Sequence, residues 1–285
     1  MRRFIQLAIL TLCVVIPGHA LAVEGTVPSA DGVSIHYITE GSGAPALVFV
    51  HCWSCDTTVW DAQMKHFAPA HQVVAIDLAG HGSSGRGRKE WTIPAFGQDV
   101  RAVVEKLGLK KAILVGHSMG GSVIVEAARL MPERVILLVP VDSLQDVERK
   151  FTPEQIESFL APFKQDFKKN TDAFMRGFFP EGTDPALVDR VAGKAASAPP
   201  EIAIAALASL FAHDLPGAMD GVKIPFHAIN SDRRPTNLEG NRRHARFEVT
   251  LIPGVGHFPM LEKPAEFNQA LAAIAGKATI PPSSP

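Results

Sequence analysis

The sequence predicts an α/β fold, in which helices cover both faces of a mostly parallel, doubly wound sheet. First, strand-like apolar runs alternate with stretches whose apolar residues recur at helical spacing, which is typical of parallel sheets. Second, the run Val135–Val141 is apolar throughout, as expected of a strand buried on both faces. Third, a glycine-rich turn at residues 116–121 joins a strand-like run to a helix-like one.

Each element is predicted from one of two sequence patterns. Short apolar runs predict strands at residues 34–40, 46–51, 72–78, 111–115, 135–141, 224–230 and 247–253. Apolar residues at helical spacing predict helices at residues 57–67, 96–107, 119–130 and 265–275. The order of these elements shows no internal repeat.

The composition is that of one large domain. The chain has 285 residues, of which 46% are hydrophobic and 20% are charged, which is enough apolar material for a single core. We expect this core to comprise residues 23–142 and 221–279, with residues 143–220 as an insertion. The formal net charge is −1, so electrostatics give no reason to expect nucleic acid or an anionic membrane as a partner.

The N-terminus has the pattern of an export signal. Two arginines precede an apolar stretch at residues 4–16 that is too short to span a bilayer comfortably, and residues 20–22 form a small-x-small cleavage site. We therefore expect a signal peptide at residues 1–22, export to the periplasm or the medium, and no membrane span after cleavage; the alternative is an uncleaved anchor. The protein would then fold in an oxidising compartment with only Cys52 and Cys55 left.

Residues 280–285 are expected to be disordered.

The alternation of strands and helices breaks in the insertion. Thr152 and Pro153 have the pattern of a helix start, and Pro162 is expected to kink that helix. Residues 151–211 contain eight of the sixteen phenylalanines. An apolar stripe is formed by Ile156, Phe159, Phe163 and Phe167. The insertion is therefore predicted to be a helical cap, whose rings form a satellite core and, for a few of them, cover an apolar pocket.

A Gly-x-Ser-x-Gly motif at residues 116–120 lies between a predicted strand and a predicted helix. In this context the motif is a nucleophile elbow, a turn that lifts Ser118 above the carboxyl edge of the sheet. The turn is so sharp that only small residues, Gly116 and Gly120, fit beside the serine. The start of the helix adds backbone N–H donors and a partial positive charge. We interpret His117, the variable position of the motif, as a supporting residue.

A serine hydroxyl is a weak nucleophile, so Ser118 needs a base. His257 is the candidate, because it lies in a glycine-flanked loop after the last apolar strand and would reach the same sheet edge. The alternative for His257 is an ordinary surface histidine.

Four stretches together resemble the α/β-hydrolase family, and the resemblance covers nearly all of the chain after the predicted signal. They are residues 51–53 (His-Cys-Trp), 77–83 (Asp-Leu-Ala-Gly-His-Gly-Ser), 116–121 (Gly-His-Ser-Met-Gly-Gly) and 256–264 (Gly-His-Phe-Pro-Met-Leu-Glu-Lys-Pro). The family implies a hydrolase with a Ser–His–acid triad. It also implies a helical cap after the sixth strand, where the phenylalanine-rich insertion lies.

The resemblance also implies a role for the loop that begins at His51. In the family this loop usually reads His-Gly-x-x-Gly-Asp, and here cysteine replaces both glycines. The loop would present the backbone N–H of Trp53 to the developing oxyanion, with the N–H of Met119 as the second donor. His51 would support the loop. Cys52 and Cys55 would either close as a disulfide or remain free thiols, and no further ligands at suitable spacing indicate a metal site.

Two aspartates compete for the third position of the triad. In the family the acid usually follows the seventh strand, but here Arg234 occupies that position and Asp232 comes two residues early. A second arrangement in the superfamily places the acid at the end of the sixth strand, where this chain has Asp142. The sequence favours Asp142 and leaves Asp232 open. The alternatives are an anchor for the cap at Asp142 and a turn residue at Asp232.

These residues predict a serine hydrolase that cleaves small to medium carboxylic esters through an acyl-enzyme, with no cofactor. Its partner would be a small-molecule ester, and the oligomeric state is left open. One alternative is hydrolysis of a carbon–carbon bond, a lactone or an amide on the same triad. Two others lie outside this chemistry: a ligand-binding protein with a vestigial triad, and a thiol–disulfide protein that uses Cys52 and Cys55.

Overall fold

The computed structural model describes residues 22–278, and within them eight strands form a single sheet. The strands are β1 (Val23–Pro28), β2 (Ser34–Glu40), β3 (Ala46–Val50), β4 (Val73–Ile76), β5 (Ala112–His117), β6 (Val135–Val141), β7 (Phe226–Ser231) and β8 (Phe247–Ile252). Their order across the sheet is β1-β2-β4-β3-β5-β6-β7-β8. The predicted signal peptide up to residue 21 and the predicted tail lie outside the described residues.

Helices cover the sheet and fill the insertion. They are α1 (Asp61–Phe67), α2 (Ile93–Lys106), α3 (Met119–Leu130), α4 (Pro153–Gln165), α5 (Phe167–Arg176), α6 (Pro185–Ala195), α7 (Pro200–Ala212), α8 (Leu215–Asp220), α9 (Leu238–His244), α10 (Pro259–Glu262) and α11 (Pro264–Ala278). A 3-10 turn at Thr57–Trp60 precedes α1. Within the core, α2 packs against α3, and α11 packs against α1, β7 and β8.

The predicted α/β class and the mostly parallel sheet are confirmed. Only the pairs β1–β2 and β2–β4 are antiparallel, and all the other neighbouring strands are parallel. Gly116 of β5 lies between Val50 of β3 and Pro140 of β6. Because parallel strands end at the same edge of a sheet, this register brings the residues that follow them, among them Ser118 and Asp142, to one place.

Three elements outside the insertion lie outside the sequence prediction, namely β1, α9 and α10. β1 is an edge strand whose residues are mostly exposed, so it lacks the buried apolar run by which the other strands are found. α9 is short and ends in Arg242, Arg243 and His244, so it has no apolar face of useful length. The other predicted elements are present with small differences at their ends.

Five helices, α4 to α8, lie between β6 and β7, where the sequence predicts a helical cap. Thr152 starts α4 with two reciprocal bonds: Gln155 N donates to Thr152 Oγ1 (3.3 Å), and Thr152 N donates to Gln155 Oε1 (2.9 Å). The predicted apolar stripe is interrupted, however, because α4 ends at residue 165. Phe167 opens α5 instead, and the side chain of Asp166 caps this new helix.

None of the described helices alone is long and apolar enough to cross a membrane. The pair α6 and α7 reaches the required length and apolarity together, with a bend of 97° between the two helices.

Candidate active site

Ser118 lies at the turn between β5 and α3, with φ of 54° and ψ of −115°. Residues other than glycine rarely adopt this conformation. The turn leaves no room for larger neighbours, because a Cβ at Gly120 would lie 2.6 Å from the Val50 carbonyl oxygen, and one at Gly116 would overlap the Gly120 backbone. The Ser118 N–H donates to the Val141 carbonyl at 3.0 Å. The Ser118 side chain is partly exposed, so a substrate can reach it.

A second serine fixes the elbow from the next strand. Ser143 Oγ donates to the Ser118 carbonyl at 2.8 Å, and Ser143 N donates to Asn230 Oδ1 at 3.2 Å. The elbow is therefore joined to the ends of β6 and β7. Neither Ser143 nor Asn230 lies in a recognisable motif, so the sequence gives no signal for this contact.

His257 lies between β8 and α10, and its imidazole is hydrogen-bonded to Asp142. His257 Nδ1 and Asp142 Oδ2 are 2.5 Å apart. The other carboxylate oxygen, Oδ1, accepts from Ser231 N (2.9 Å) and from Ser231 Oγ (2.8 Å). Because the carboxylate accepts the proton on Nδ1, the neutral ring has its basic nitrogen at Nε2. Ser231 had no signal in the sequence, since it contacts Asp142 only through the pairing of β6 with β7.

The Asp142 carboxylate is held in its charged form. Only 6% of the residue is exposed, and burial alone would raise its pKa. The hydrogen bond and the charge of His257, together with the bonds from Ser231, outweigh burial and lower the pKa of Asp142 to about 2. At neutral pH Asp142 is therefore ionised and can stabilise a positive charge on His257.

Asp232, the other candidate acid, has a different partner. It is exposed, and its Oδ1 accepts from Gly254 N at 3.1 Å, in the turn before the His257 loop. The structure thus joins Asp142, and not Asp232, to His257. Asp232 lies in the turn directly after β7, and Arg234 is exposed in the same turn region.

His117 contacts the backbone of His257. Its Nε2 donates to the His257 carbonyl oxygen at 2.6 Å, and its ring lies 4.8 Å from the rings of His257 and Phe258. Burial, followed by the neighbouring His257, lowers the pKa of His117 to about 3, so the ring is neutral. This contact fixes the main chain of His257, as a supporting residue would.

The cysteine loop, residues 51–57, follows β3 and is closed by a disulfide between Cys52 and Cys55. His51 holds its start: His51 Nδ1 donates to the Cys52 carbonyl (2.7 Å), and Leu78 N donates to His51 Nε2 (3.0 Å). Burial lowers the pKa of His51, so the ring stays neutral and can make both bonds. Trp53 lies between the two cysteines.

The stretch at residues 77–83 holds the end of the cysteine loop. Asp77 Oδ1 accepts from Thr57 N at 2.8 Å, and Asp77 Oδ2 accepts from Ser83 N at 2.9 Å. Asp77 Oδ2 also lies 3.0 Å from His36 Nδ1. This part of the family pattern therefore has a structural task, which is to connect the loop to β2 and β4.

Two side chains of the cysteine loop leave the core and contact the cap. Trp53 Nε1 donates to the Ala203 carbonyl of α7 at 2.7 Å. Asp56 forms an ion pair with Lys194 of α6. The Trp53 indole also meets three rings edge-on at 5.6 to 6.2 Å, those of Phe163, Phe167 and Phe174. The sequence predicted a role only for the backbone of Trp53.

The cap also contacts His257, through Phe178. The Phe178 ring lies 4.3 Å from the imidazole at an interplanar angle of 31°, and His257 N donates to the Phe178 carbonyl at 3.1 Å. The predicted phenylalanine cluster thus has two parts. Most of its rings pack on one another and on Trp53, whereas Phe178 lies directly on the candidate base.

No group of three or more His, Cys, Asp or Glu side chains in residues 22–278 is arranged to hold a metal ion. Cys52 and Cys55, the two cysteines that the sequence offers as candidate metal ligands, are bonded to each other in a disulfide.

Comparison with known proteins assigns this architecture to a family. The model of the alpha/beta hydrolase family matches residues 47–270, so the chain belongs to that family and is a hydrolase. A pimeloyl-[acyl-carrier protein] methyl ester esterase from Pectobacterium carotovorum is 25% identical over 85% of this chain and 98% of its own length. A solved N-acyl homoserine lactone degrading enzyme has a TM-score of 0.76 and 26% identity, over 87% of this chain and 99% of that one.

Matches of higher identity are shorter. The dihydrolipoyllysine-residue acetyltransferase component of the acetoin cleaving system from Cupriavidus necator is 35% identical over 37% of this chain, and the match spans only 28% of that protein.

Proposed function

We propose that this hydrolase cleaves carboxylic esters of small to medium size through an acyl-enzyme formed on Ser118. The observation that carries the proposal is the bond of 2.5 Å between His257 and Asp142, at the sheet edge where Ser118 occupies the elbow. An ionised carboxylate, an imidazole oriented by it and a serine on a sharp turn together are the parts of a serine-hydrolase triad. This chemistry requires no cofactor.

The mechanism assigns one task to each group. Ser118 Oγ attacks the ester carbonyl while His257 Nε2 takes its proton, and Asp142 stabilises the imidazolium that forms. The backbone N–H groups of Trp53 and Met119 bind the oxyanion, and each such donor is typically worth about 2.7–4 kcal/mol. The protonated His257 then returns the proton to the leaving alcohol. Water, activated by the same histidine, attacks the acyl-enzyme and frees the serine.

The surroundings of the site support an apolar substrate. Aromatic rings lie next to both the proposed oxyanion donor and the proposed base: the Trp53 indole contacts phenylalanines of the cap, and Phe178 of the cap lies on His257. Such side chains favour an apolar acyl or alcohol group over a charged one. The methyl ester esterase of similar length supports the same reaction class.

A lactone is the second candidate substrate. The N-acyl homoserine lactone degrading enzyme aligns over most of both chains at 26% identity. Because a lactone is a cyclic ester, its opening would use the same serine, histidine and oxyanion donors.

Pre-steady-state kinetics with p-nitrophenyl esters, from acetate to decanoate, test the proposal, and an N-acyl homoserine lactone series tests the second candidate. We expect a burst of p-nitrophenolate equal to the concentration of active sites, followed by slower turnover. Binding of these compounds without any turnover would contradict the proposal and favour the ligand-binding alternative.

We also propose that the protein is exported, which is supported by the pattern of its N-terminus. N-terminal sequencing of protein from its native source should then begin at residue 23. A mature protein that retains residues 1–22 would contradict export by this signal.

A further inference from the structure

The two proposed oxyanion donors are supported in different ways. Met119 is the first residue of α3 and belongs entirely to the core. Trp53 belongs to the cysteine loop, which has contacts to both the core and the cap. The distance between the two donors therefore depends on how the cysteine loop is held, and an error of about 1 Å in such a position can cost about 10²-fold in rate.

On the core side, the cysteine loop is bonded at its two ends, by the His51 ring at one and by the Thr57 N–H at the other. His51 accepts from Leu78 N and donates to the Cys52 carbonyl. At the far end, Thr57 N donates to Asp77. The disulfide joins the residues on either side of Trp53 and Ser54, so this part of the loop moves as one unit.

On the cap side, two side chains hold the middle of the loop. The Trp53 indole N–H donates to the Ala203 carbonyl at 2.7 Å, and Trp53 is only 4% exposed. Asp56 is 6% exposed and pairs with Lys194. Burial would raise the pKa of Asp56, but the hydrogen bond and charge of Lys194 together with the hydrogen bonds from Thr58 outweigh it, so the pKa is lowered and the carboxylate stays charged.

The ion pair is placed to orient the loop. Asp56 also accepts from the N–H (3.1 Å) and the hydroxyl (2.6 Å) of Thr58, so its carboxylate is fixed at the start of the 3-10 turn. Lys194 near the end of α6 reaches this carboxylate from the cap, and it is the partner that supplies a compensating charge. Without Lys194, a mostly buried carboxylate would lack that charge and would draw away from the cap toward water.

We propose that Lys194 is a positioning residue of the reaction, which acts through Asp56 and the cysteine loop on the Trp53 N–H. The cap, through Lys194 and the Ala203 carbonyl, thus contributes to stabilising the oxyanion as well as to enclosing the substrate. This inference rests on the proposed ester hydrolysis.

The test compares Lys194→Met with Lys194→Arg. We expect Lys194→Met to lower kcat about tenfold with KM within about twofold, because the donor is displaced while the side chains around Ser118 and His257 remain in place. A boronic acid inhibitor, whose tetrahedral adduct on serine places an oxygen at the oxyanion donors, should bind more weakly by the same factor. Lys194→Arg should restore most of both quantities. Lys168→Met, a change of an exposed lysine on α5, is the matched control and should have no effect.

A second variant keeps the test decisive where Lys194→Met does not fold. Trp53→Phe removes the indole donor to Ala203 but keeps a ring and the backbone N–H, and it should likewise lower kcat and boronate affinity together. The inference is overturned by folded variants with unchanged kcat, or by a rise in KM with kcat and boronate affinity unchanged. If the wild type itself does not hydrolyse esters, the proposed function fails. That result differs from an active wild type whose Lys194 variants behave normally, which overturns this inference alone.

Discussion

The elbow and the cysteine loop follow the neighbouring strands β5 and β3, yet they are held by different parts of the molecule. Ser118 is fixed at the end of β6, through bonds from its N–H to Val141 and from Ser143, just after that strand, to its carbonyl. The cysteine loop is bonded to the core at its two ends, through the His51 ring and the Thr57 N–H, and to the cap through the side chains of Trp53 and Asp56, at Ala203 and Lys194.

This difference separates two requirements of the proposed chemistry. The nucleophile and the acid are placed by the register of parallel strands, which is set by a large buried core and changes little with a single substitution. The oxyanion donor in the cysteine loop depends on a few specific contacts to an inserted cap. We therefore expect substitutions of the triad residues at the sheet edge to lower kcat by several orders of magnitude, and substitutions around the cysteine loop to lower kcat much less.

The largest effect is expected at Ser118. Ser118→Ala should lower kcat for ester hydrolysis by about 10⁶, because it removes the nucleophile. The fold should remain intact, since the change removes one hydroxyl. Ser83→Ala, a change of an exposed serine, is the matched control and should leave kcat unchanged. Purified, folded Ser118→Ala that keeps a kcat close to that of the wild type would contradict the assignment of the nucleophile.

The next largest effect distinguishes the two aspartates. Asp142→Asn should lower kcat by about 10⁴, because an amide in this place favours the wrong tautomer of His257. Asp232→Asn should have a far smaller effect, because it loses only a bond to the Gly254 N–H. Circular dichroism and thermal melting should confirm that both variants fold. If Asp232→Asn abolishes turnover while Asp142→Asn does not, the acid lies after β7.

A smaller effect concerns stability at low pH. The pKa of Asp142 is about 2 in the folded protein, below its ordinary value of 3.8, so ionised Asp142 stabilises the fold above about pH 4. The difference corresponds to about 2 kcal/mol, lost as the pH falls from about 5 to 2. Urea unfolding should show that the stability advantage of the wild type over Asp142→Asn shrinks across this range. A difference that stays constant with pH would show that Asp142 is not held in its charged form.

The smallest effect is expected for the cysteines. The double variant Cys52→Gly, Cys55→Gly should keep kcat within about tenfold of the wild type, because Trp53 and Asp56 still hold the loop and such thiols are not needed for acyl transfer. Steady-state kinetics on the folded variant give the answer. A complete loss of activity would restore a direct chemical role for the cysteines. Intact-mass analysis of alkylated native protein should also show no free thiol.

The sequence predicted those parts of the site that depend on local structure. The elbow is a five-residue motif between a strand and a helix, and His257 follows the last strand, so both were found from their place in the order of elements. The choice of Asp142 over Asp232 was favoured but left open by spacing. It depends on the order of the strands across the sheet: Ser231 meets Asp142 across the pairing of β6 with β7, and His257 reaches Asp142 from the loop after β8.

The remainder of the site depends on contacts between distant segments, which spacing does not encode. Lys194 and Phe178 lie in the cap, and nothing in their neighbouring residues indicates that they reach Asp56 and His257. The sequence did not predict the edge strand β1 for a related reason. Its residues are mostly exposed and form no apolar run, and its strand conformation comes from its pairing with β2.

Labelling with a fluorophosphonate probe tests the proposed chemistry most directly. The probe reacts with a serine that an adjacent base activates, and it forms a tetrahedral adduct stabilised by oxyanion donors. After digestion and mass spectrometry, a single adduct is expected, on the peptide that contains Ser118, together with complete loss of ester hydrolysis. An adduct on a different residue, or full activity in protein that the probe does not label, would contradict a mechanism through Ser118.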